Sequence, residues 1–125
     1  MLNNQKILVT GGAGFIGSNL VKHLVTTGNY VTVLDNFSTG FRDNLVPFKT
    51  VRIVEGDIRN KDDIYEAIKD VEIVFHLAAS VGNQRSIINP RKDAEINVIG
   101  TIQILEASRK SGVKKIITSS SAGIF

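Results

Sequence analysis

Short apolar runs rich in valine and isoleucine alternate along the chain with longer stretches of helical periodicity. We predict a β-strand in each of the five runs, residues 6–10, 30–34, 51–54, 72–76 and 115–118. Strands that are separated by helices pair in parallel, and most of these strands are too apolar to have a face in water. The pattern therefore predicts an α/β fold in which helices cover both faces of a doubly wound parallel sheet.

Three helices are predicted between these strands, at about residues 14–27, 61–69 and 91–110. Gly28 and Gly112 are placed to end the first and the third helix, and Asn60 is placed to cap the second. In the first helix, the residues expected on the sheet recur at helical spacing: Ile16, Leu20, Val21, Leu24 and Val25.

The third predicted helix is apolar on two sides. The set expected to face the sheet is Ala94, Val98, Ile102 and Leu105. The second set, which points elsewhere, is Ile96, Ile99 and Ile104. A helix with a second apolar side needs another partner, so we expect this chain to self-associate through the second set.

The composition is typical of an ordinary folded domain, with 42% apolar and 22% charged residues and two prolines. We expect residues 1–125 to form one domain. Cysteine is absent, which excludes disulfides, thiolate zinc sites and cysteine nucleophiles. No apolar run approaches the roughly 20 residues of a membrane span, and the first residues lack the apolar core of a signal peptide. We expect a cytoplasmic protein that has no membrane partner.

The net charge of +3 is unevenly distributed, since residues 85–125 contain seven basic and three acidic side chains. These basic residues lie apart and have no aromatic residues between them. The pattern favours solvated helix faces and strand ends over a nucleic-acid surface.

A glycine-rich segment, Thr10–Gly17, follows the first strand directly and leads into the first helix, with glycines at positions 11, 14 and 17. A turn this tight needs a positive φ, and a diphosphate can approach the backbone closely only where no Cβ intervenes. The first turn of the helix adds free N–H groups and a positive dipole end. The segment therefore predicts a dinucleotide-binding turn.

An acidic residue follows the second strand at the spacing expected of a ribose ligand. Asp35 lies 18 residues beyond Gly17, and a carboxylate there accepts hydrogen bonds from the ribose hydroxyls and repels a 2′-phosphate. This favours NAD over NADP. Arg42 is close enough in sequence to keep NADP open as the alternative.

Two further strand ends carry candidate ligands. Asp57 follows the third strand and can accept from an adenine amino group while Ile58 packs on the ring, although a simple Asp turn explains the pair nearly as well. His76 ends the fourth strand, where a packed strand residue is the commoner interpretation than an acid or base. No other histidine or carboxylate is placed to complete a metal site with it.

Taken together, six motifs resemble the extended short-chain dehydrogenase/reductase family, and most closely its nucleotide-sugar epimerases. They are Thr10–Gly17, Leu34–Asn36, Gly56–Ile58, His76–Ala79, Asn97–Thr101 and Ser119–Ala122. The resemblance implies a Rossmann-like sheet with strand order 3-2-1-4-5. It also implies that the chain is the N-terminal part of a longer enzyme, lacking the remaining strands and the substrate lobe.

The resemblance also implies a cofactor, a substrate class and a set of site residues. An NAD site would be lined by the Gly11–Gly17 turn and other residues: Gly11, Gly14, Phe15, Ile16, Gly17, Asp35, Asn36, Ser38, Asp57, Ile58, Leu77, Ala78, Ala79 and Asn97. Ser121 would hydrogen-bond the sugar hydroxyl that is oxidised. The substrate would be a nucleotide sugar, such as a UDP-sugar epimerised at C4 between UDP-glucose and UDP-galactose through a 4-keto intermediate. Family dimers imply a homodimer through the helix at 91–110.

The base of that family is a tyrosine in a Tyr-x-x-x-Lys motif after the next strand, which this chain does not reach. The string Tyr65–Lys69 fits the pattern but lies before the serine run, so we reject it and expect the chain alone to be inactive. Ala122 and Gly123 stand where the dehydratase branch has an Asp-Glu pair, which disfavours dehydration, and Phe125 stands where a tyrosine is usual. A reductase and a non-catalytic NAD-binding module remain alternatives.

Overall fold

The computed structural model describes residues 1–121 and contains one parallel sheet of five strands. The strands are β1 (Lys6–Thr10), β2 (Tyr30–Asp35), β3 (Arg52–Glu55), β4 (Ile73–His76) and β5 (Lys115–Thr118). Their order is β3-β2-β1-β4-β5. The predicted fold and strand order are confirmed, and every strand lies within one residue of its predicted bounds.

The helices are α1 (Phe15–Thr26), α2 (Lys61–Ala67), α3 (Asn83–Ile88), α4 (Pro90–Ala94) and α5 (Gly100–Lys110). A π-helical turn, Glu95–Ile99, joins α4 to α5, and a short 3-10 turn covers Arg42–Asn44. We call α4, the π-helical turn and α5 together the long helix. The sequence predicted three helices, and the third of them covers the long helix. The short α3 and the 3-10 turn were not predicted, because they lack the apolar periodicity by which a helix is recognised.

The predicted helix ends are confirmed. Asn60 accepts the backbone N–H groups of Asp62 and Asp63 at 2.9 and 3.4 Å, which satisfies free donors of the first turn of α2. Gly28 and Gly112 follow α1 and α5 with φ of 84° and 74°. These left-handed conformations favour glycine and end both helices.

Two apolar cores lie on opposite faces of the sheet, as a doubly wound fold requires. Ile7 and Val9 of β1 belong to the core that contains Val21 and Leu24 of α1. Leu8, between them, belongs to the other core, with residues of α2 and α5. Alternate residues of the central strand are thus buried on both sides, which explains why the sequence shows a continuous apolar run there.

The face of the long helix that packs on the sheet is the opposite of the predicted one. Ala94, Val98, Ile102 and Leu105 were expected on the sheet, but all four are exposed, Val98 by 54% and Ile102 by 52%. The buried residues of α5 are Gly100, Ile104, Ala107 and Ser108, and Ile96 packs against the same core. Of the second set, only Ile99 faces outward, at 46% exposure.

Small residues explain which side of the long helix is buried. A Cβ at Gly100 would lie 2.6 Å from Cδ1 of Ile58, so any larger residue would require the buried Ile58 side chain to move. Both apolar sets have the same spacing, and apolarity alone could not distinguish them. The face that packs on the sheet carries the small residues Gly100 and Ala107 beside Ile104.

The prediction for one residue of α1 is also wrong, because Ile16 does not face the sheet. Ile16 is 67% exposed, whereas Gly17, Val21 and Leu24 are buried. Ile16 precedes Gly17 by one position, which rotates its side chain about 100° around the helix from the buried stripe. It therefore lies beside the glycine-rich turn instead of on the sheet.

Candidate functional site

Two glycines of the glycine-rich turn are required by the fold itself. Gly11 has a φ of 70°, and a Cβ there would lie 2.8 Å from the backbone nitrogen of Ala78. A Cβ at Gly17 would lie 2.1 Å from the carbonyl oxygen of Gly11. The first glycine forms the turn, and the last lets α1 begin directly against it.

Gly14 has no such structural requirement. Its φ of −76° and ψ of 179° suit any residue, and a Cβ would lie 3.5 Å from the carbonyl oxygen of Gly11, an ordinary contact. Gly14 is the N-cap of α1, where no side chain caps the helix and no acidic residue occupies the first turn. The missing side chain leaves open the end of a helix whose first N–H groups and dipole attract an anion. This opening fits the diphosphate of a dinucleotide.

The Asp35 carboxylate is fixed beside this turn. It is 9% exposed, and its Oδ2 and Oδ1 accept the N–H groups of Ala13 and Phe37 at 2.9 and 2.8 Å. A carboxylate oxygen can accept two hydrogen bonds. Each oxygen therefore keeps one acceptor site for a ribose hydroxyl.

The Arg42 guanidinium near this site is already bound to other side chains. It forms an ion pair with Glu55 and lies over the ring of Phe37, with Cζ 4.2 Å from the ring centroid. Arg42 therefore already has two partners, Glu55 and Phe37, beside Asp35.

Asn36, Ser38 and Asp57 are brought together next to Asp35. The side chain of Asn36 donates to Oδ2 of Asp57 at 3.1 Å and accepts the N–H of Ser38 at 3.0 Å. Arg59 donates to Asp57 three times, from its backbone N–H, Nε and one terminal nitrogen, at 2.8 to 2.9 Å. The Arg59 side-chain bonds, more than any other contact, lower the pKa of Asp57 to about 2.

The side chain of Ile58 does not extend toward this group. It is 5% exposed and belongs to the core beneath the long helix, against Gly100. Most of its surface is thus covered by the core, and the expected contact with an adenine ring stays a prediction.

A cleft of about 180 Å³ lies at the carboxyl ends of β4 and β5. It is lined by His76, Leu77, Ala78, Ala79, Asn97, Thr101, Thr118 and Ser119. Three predicted cofactor contacts, Leu77, Ala78 and Ala79, thus share one cavity with the predicted Asn97. The small side chains at its floor leave the backbone accessible to a flat group.

A buried hydrogen-bond chain supports this cleft. Oγ1 of Thr10 lies 2.7 Å from Nδ1 of His76, and Nε2 of His76 lies 3.0 Å from Oγ1 of Thr101. Thr10 already accepts the N–H groups of Leu77 and Ala78 at 3.1 Å. Its own proton must therefore go to Nδ1, which assigns the proton of the neutral imidazole to Nε2. Burial lowers the pKa of His76, in agreement with the predicted packed role.

Asn97 continues this support from the π-helical turn. Its amide accepts the N–H of Ser80 at 2.8 Å and donates to the carbonyl of Ser80 at 3.0 Å, while its own carbonyl accepts the Thr101 hydroxyl at 2.7 Å. The side chain predicted as a cofactor contact is thus engaged in holding the loop after β4.

Ser121 is exposed, three residues beyond the end of β5. The predictions at Ala122, Gly123 and Phe125 lie outside the described residues. Tyr65 lines a small pocket between α2 and α5 with Lys61, Gln103 and Glu106, and none of these residues lines the cleft. The position of Tyr65 supports the rejection of the Tyr65–Lys69 string.

Within residues 1–121, no group of three or more histidine, cysteine or carboxylate side chains is arranged to hold a metal ion. In the same part of the chain, none of the helices has both the length and the apolar character needed to span a bilayer.

Sequence reasoning missed Thr10 and Thr101 as supports of the cleft, and Phe37 and Glu55 as the partners of Arg42 outside the proposed NAD contacts. Thr10 and His76 are register partners on neighbouring strands. A buried threonine and a histidine that both end adjacent strands would have been a usable signal. Glu55 is the register partner of Asp35, but its bond to Arg42 depends on the path of a loop that no periodicity describes.

Comparisons with known proteins agree on one family. The sequence model of the NAD dependent epimerase/dehydratase family matches residues 7–125. UDP-glucose 4-epimerase of Mycolicibacterium smegmatis is 41% identical over 95% of this chain and 39% of its own length.

Two solved structures are similar to this chain. UDP-glucose 4-epimerase of Thermotoga maritima, solved with UDP-glucose, superposes with a TM-score of 0.89 at 42% identity, over 94% of this chain and 38% of that one. The corresponding enzyme of Thermus thermophilus, solved with NAD, has a TM-score of 0.83 at 41% identity, over 89% and 36%. The chain thus spans less than two fifths of the length of these relatives.

Proposed function

The chain belongs to the NAD dependent epimerase/dehydratase family, and we propose that it is the NAD-binding part of a nucleotide-sugar epimerase. The reaction proposed for the whole enzyme is the interconversion of UDP-glucose and UDP-galactose through a 4-keto sugar. Bound NAD supplies a hydride acceptor that returns the hydride to the opposite face of the sugar. This chain contributes the cofactor site and one substrate contact.

Gly14 is the observation that supports cofactor binding most directly. Neither its dihedral angles nor its neighbours require a glycine, yet a side chain there would cover the start of α1. A glycine that the fold does not need is explained by a ligand that approaches the backbone. The diphosphate of NAD is such a ligand, and it would be held by the N–H groups of the first turn of α1.

The other half of the dinucleotide site follows from the positions of the strand ends. Asp35 offers two acceptor sites to the adenine ribose. The cleft at β4 and β5 has room for a flat ring above Ala78, and the Thr10–His76–Thr101 chain keeps its floor rigid. Ser121, at the far side of β5, would orient the sugar hydroxyl. A serine hydroxyl does not accept a proton at neutral pH, so the base must come from another group.

A homodimer is part of this proposal, through a face of the long helix different from the one predicted. Val98, Ile99, Ile102 and Leu105 are each about half exposed, and they form an apolar strip that a second copy would cover. The strip lies on the side of the helix away from the sheet, so pairing leaves the cofactor site open.

The proposal is tested by calorimetry with NAD on the wild-type chain and on Gly14→Ala. We expect Gly14→Ala to lose at least about tenfold in NAD affinity, because the added methyl group covers the diphosphate site. Its stability without ligand should change by less than about 1 kcal/mol, since the alanine fits the fold.

The matched control is Gly112→Ala, in a turn at the other end of the sheet. Its φ of 74° strains an alanine, so it should lose about 1 kcal/mol of stability and keep NAD affinity. Equal NAD affinity in wild type and Gly14→Ala would remove the main support for the proposal.

The rival function is an NAD-binding module that performs no chemistry. Both functions share the site described here, so NAD binding does not separate them. The coding sequence downstream of residue 125 does: a Tyr-x-x-x-Lys motif there supports the epimerase, and its absence supports the module.

A further inference from the structure

The loop after β2 holds Arg42 close to Asp35, the predicted ribose ligand, but the Arg42 guanidinium is already paired. Arg42 has two partners, and each adjoins Asp35. Glu55 is the register partner of Asp35 across β2 and β3, and Phe37 donates its N–H to Oδ1 of Asp35 at 2.8 Å. The guanidinium is therefore kept at the edge of the site where a ribose 2′ substituent would lie.

The backbone indicates that this arrangement is built rather than incidental. Phe37 has a φ of 55°, in the left-handed region that a residue with a side chain rarely adopts. That conformation lets one residue both donate to Asp35 and carry the ring under Arg42, 4.2 Å from the guanidinium carbon.

An arginine at this position has an evident use. Its planar fork of N–H donors matches a phosphate group better than a single hydroxyl, and a 2′-phosphate on the adenine ribose is what distinguishes NADP from NAD. In this chain one terminal nitrogen of that guanidinium is already paired with the carboxylate of Glu55.

We propose that Glu55 is a second determinant of cofactor choice, which withholds Arg42 from the 2′-phosphate of NADP. The inference rests on the proposed NAD site. Glu55 acts in two ways, by competing with the phosphate for the guanidinium and by adding a negative charge beside it. The Arg42 and Glu55 side chains are 53% and 62% exposed, so their pair stabilises the fold little and can be broken without unfolding the chain.

The test measures NAD and NADP affinities of the wild-type chain and of Glu55→Gln by calorimetry. The wild-type chain should bind NAD at least about tenfold more tightly than NADP. In Glu55→Gln, NADP affinity should rise about fivefold, while NAD affinity stays within about twofold of wild type. The melting temperature of each variant verifies folding.

Two further variants separate the role of Arg42 from a general change of charge. In the double variant Arg42→Gln/Glu55→Gln, the gain in NADP affinity should disappear, because the arginine that would bind the 2′-phosphate has been removed. Glu66→Gln breaks the comparable exposed pair between Arg52 and Glu66 and should leave both affinities unchanged.

The outcomes distinguish this inference from the proposed function. A wild-type chain that binds NAD, with no NADP gain in Glu55→Gln, overturns the role of Glu55 alone. A gain that persists in the double variant, or appears in Glu66→Gln, also overturns it, since charge removal is then sufficient. A wild-type chain that does not bind NAD overturns the site itself.

Discussion

At the scale of single residues, His76 is a buried titratable side chain whose role is structural. Both ring nitrogens are hydrogen-bonded to threonines on different elements. The second of these, Thr101, donates in turn to the carbonyl of Asn97. Protonation would add a proton to Nδ1, which faces the Thr10 hydroxyl. That hydroxyl oxygen already accepts two N–H groups and has no acceptor site left for a third. The folded chain therefore resists protonation at His76, in line with the lowered pKa.

We predict that His76 makes stability depend on pH. The unfolded chain takes up a proton near the ordinary histidine pKa of about 6.5, whereas the folded chain does so only at lower pH. The stability contributed by neutral His76 is thus present above pH 6.5 and lost as the pH falls below it, by at most about 1.4 kcal/mol per pH unit. Urea denaturation between pH 5 and 8 measures this loss.

His76→Gln should be less stable at pH 8 and should lack this fall in stability. His23→Gln changes the other histidine, which is exposed on α1, and should retain the wild-type profile. A wild-type chain of constant stability from pH 7 to 5 would contradict the role assigned to His76.

Residues whose role depends on local spacing could be predicted from the sequence, and residues whose partners lie on other strands could not. Gly11, Gly17 and Asp35 were identified because a strand, a tight turn and a helix succeed one another directly. Thr10 acquires its role from His76 on the neighbouring strand, 66 residues away, and Glu55 acquires its role from Arg42 in the loop after β2, 13 residues away. Such pairs become readable only after the strand order is known.

At the scale of elements, the long helix shows where a periodic pattern is ambiguous. Its existence and its C-terminal stop were predicted, but its buried side was not, because two apolar sets have the same spacing. Residue size agrees with the observed side, since a Cβ at Gly100 would lie 2.6 Å from Cδ1 of Ile58. The π-helical turn lies within this helix and carries Asn97, and no feature of the local pattern predicts it.

We predict that the outward and inward faces of α5 respond differently to substitution. Ile102→Glu should convert a self-associating chain into a monomer with little loss of stability, because Ile102 is 52% exposed. Ile104→Ala should lower stability by about 2 to 4 kcal/mol and leave association unchanged, because Ile104 is fully buried. Analytical ultracentrifugation and urea denaturation separate the two effects.

Two results would be incompatible with this assignment of faces. A wild-type chain that sediments as a monomer at high micromolar concentration would exclude the proposed dimer. Dissociation caused by Ile104→Ala would favour the originally predicted second set of residues.

At the scale of the whole molecule, the proposed NAD site and the proposed sugar contact at Ser121 have no tyrosine beside them within residues 1–121. The two tyrosines of the chain are Tyr30 and Tyr65. Tyr30 begins β2, at the amino ends of the parallel strands, whereas the serines follow the carboxyl end of β5. Tyr65, on α2, is exposed and lines a small pocket with residues of α5. The cytoplasmic location expected from the sequence stays a prediction.

We predict that this chain, saturated with NAD, does not interconvert UDP-glucose and UDP-galactose. Orientation by Ser121 without a base leaves the barrier high, and a site open to water does not protect a keto sugar. The assay follows labelled UDP-glucose and nicotinamide absorbance, with a chain extended through a downstream Tyr-x-x-x-Lys helix for comparison.

Activity confined to the extended chain, and reduced by Ser121→Ala, would agree with the proposed roles. Turnover by the short chain that disappears in Tyr65→Phe would instead restore the Tyr65–Lys69 string as the catalytic pair.

The central position of β1 has a consequence for synthesis on the ribosome. β1 pairs with β2 on one side and with β4 on the other, and Thr10 meets His76 66 residues later. Protein synthesis adds about 5 to 20 residues per second, so the edge of β1 that pairs with β4 stays unpaired for roughly 3 to 13 seconds. During that interval the apolar run Ile7–Val9 has one unpaired edge. The nascent chain is therefore most exposed to aggregation before β4 emerges, and molecular chaperones that bind apolar segments would act then.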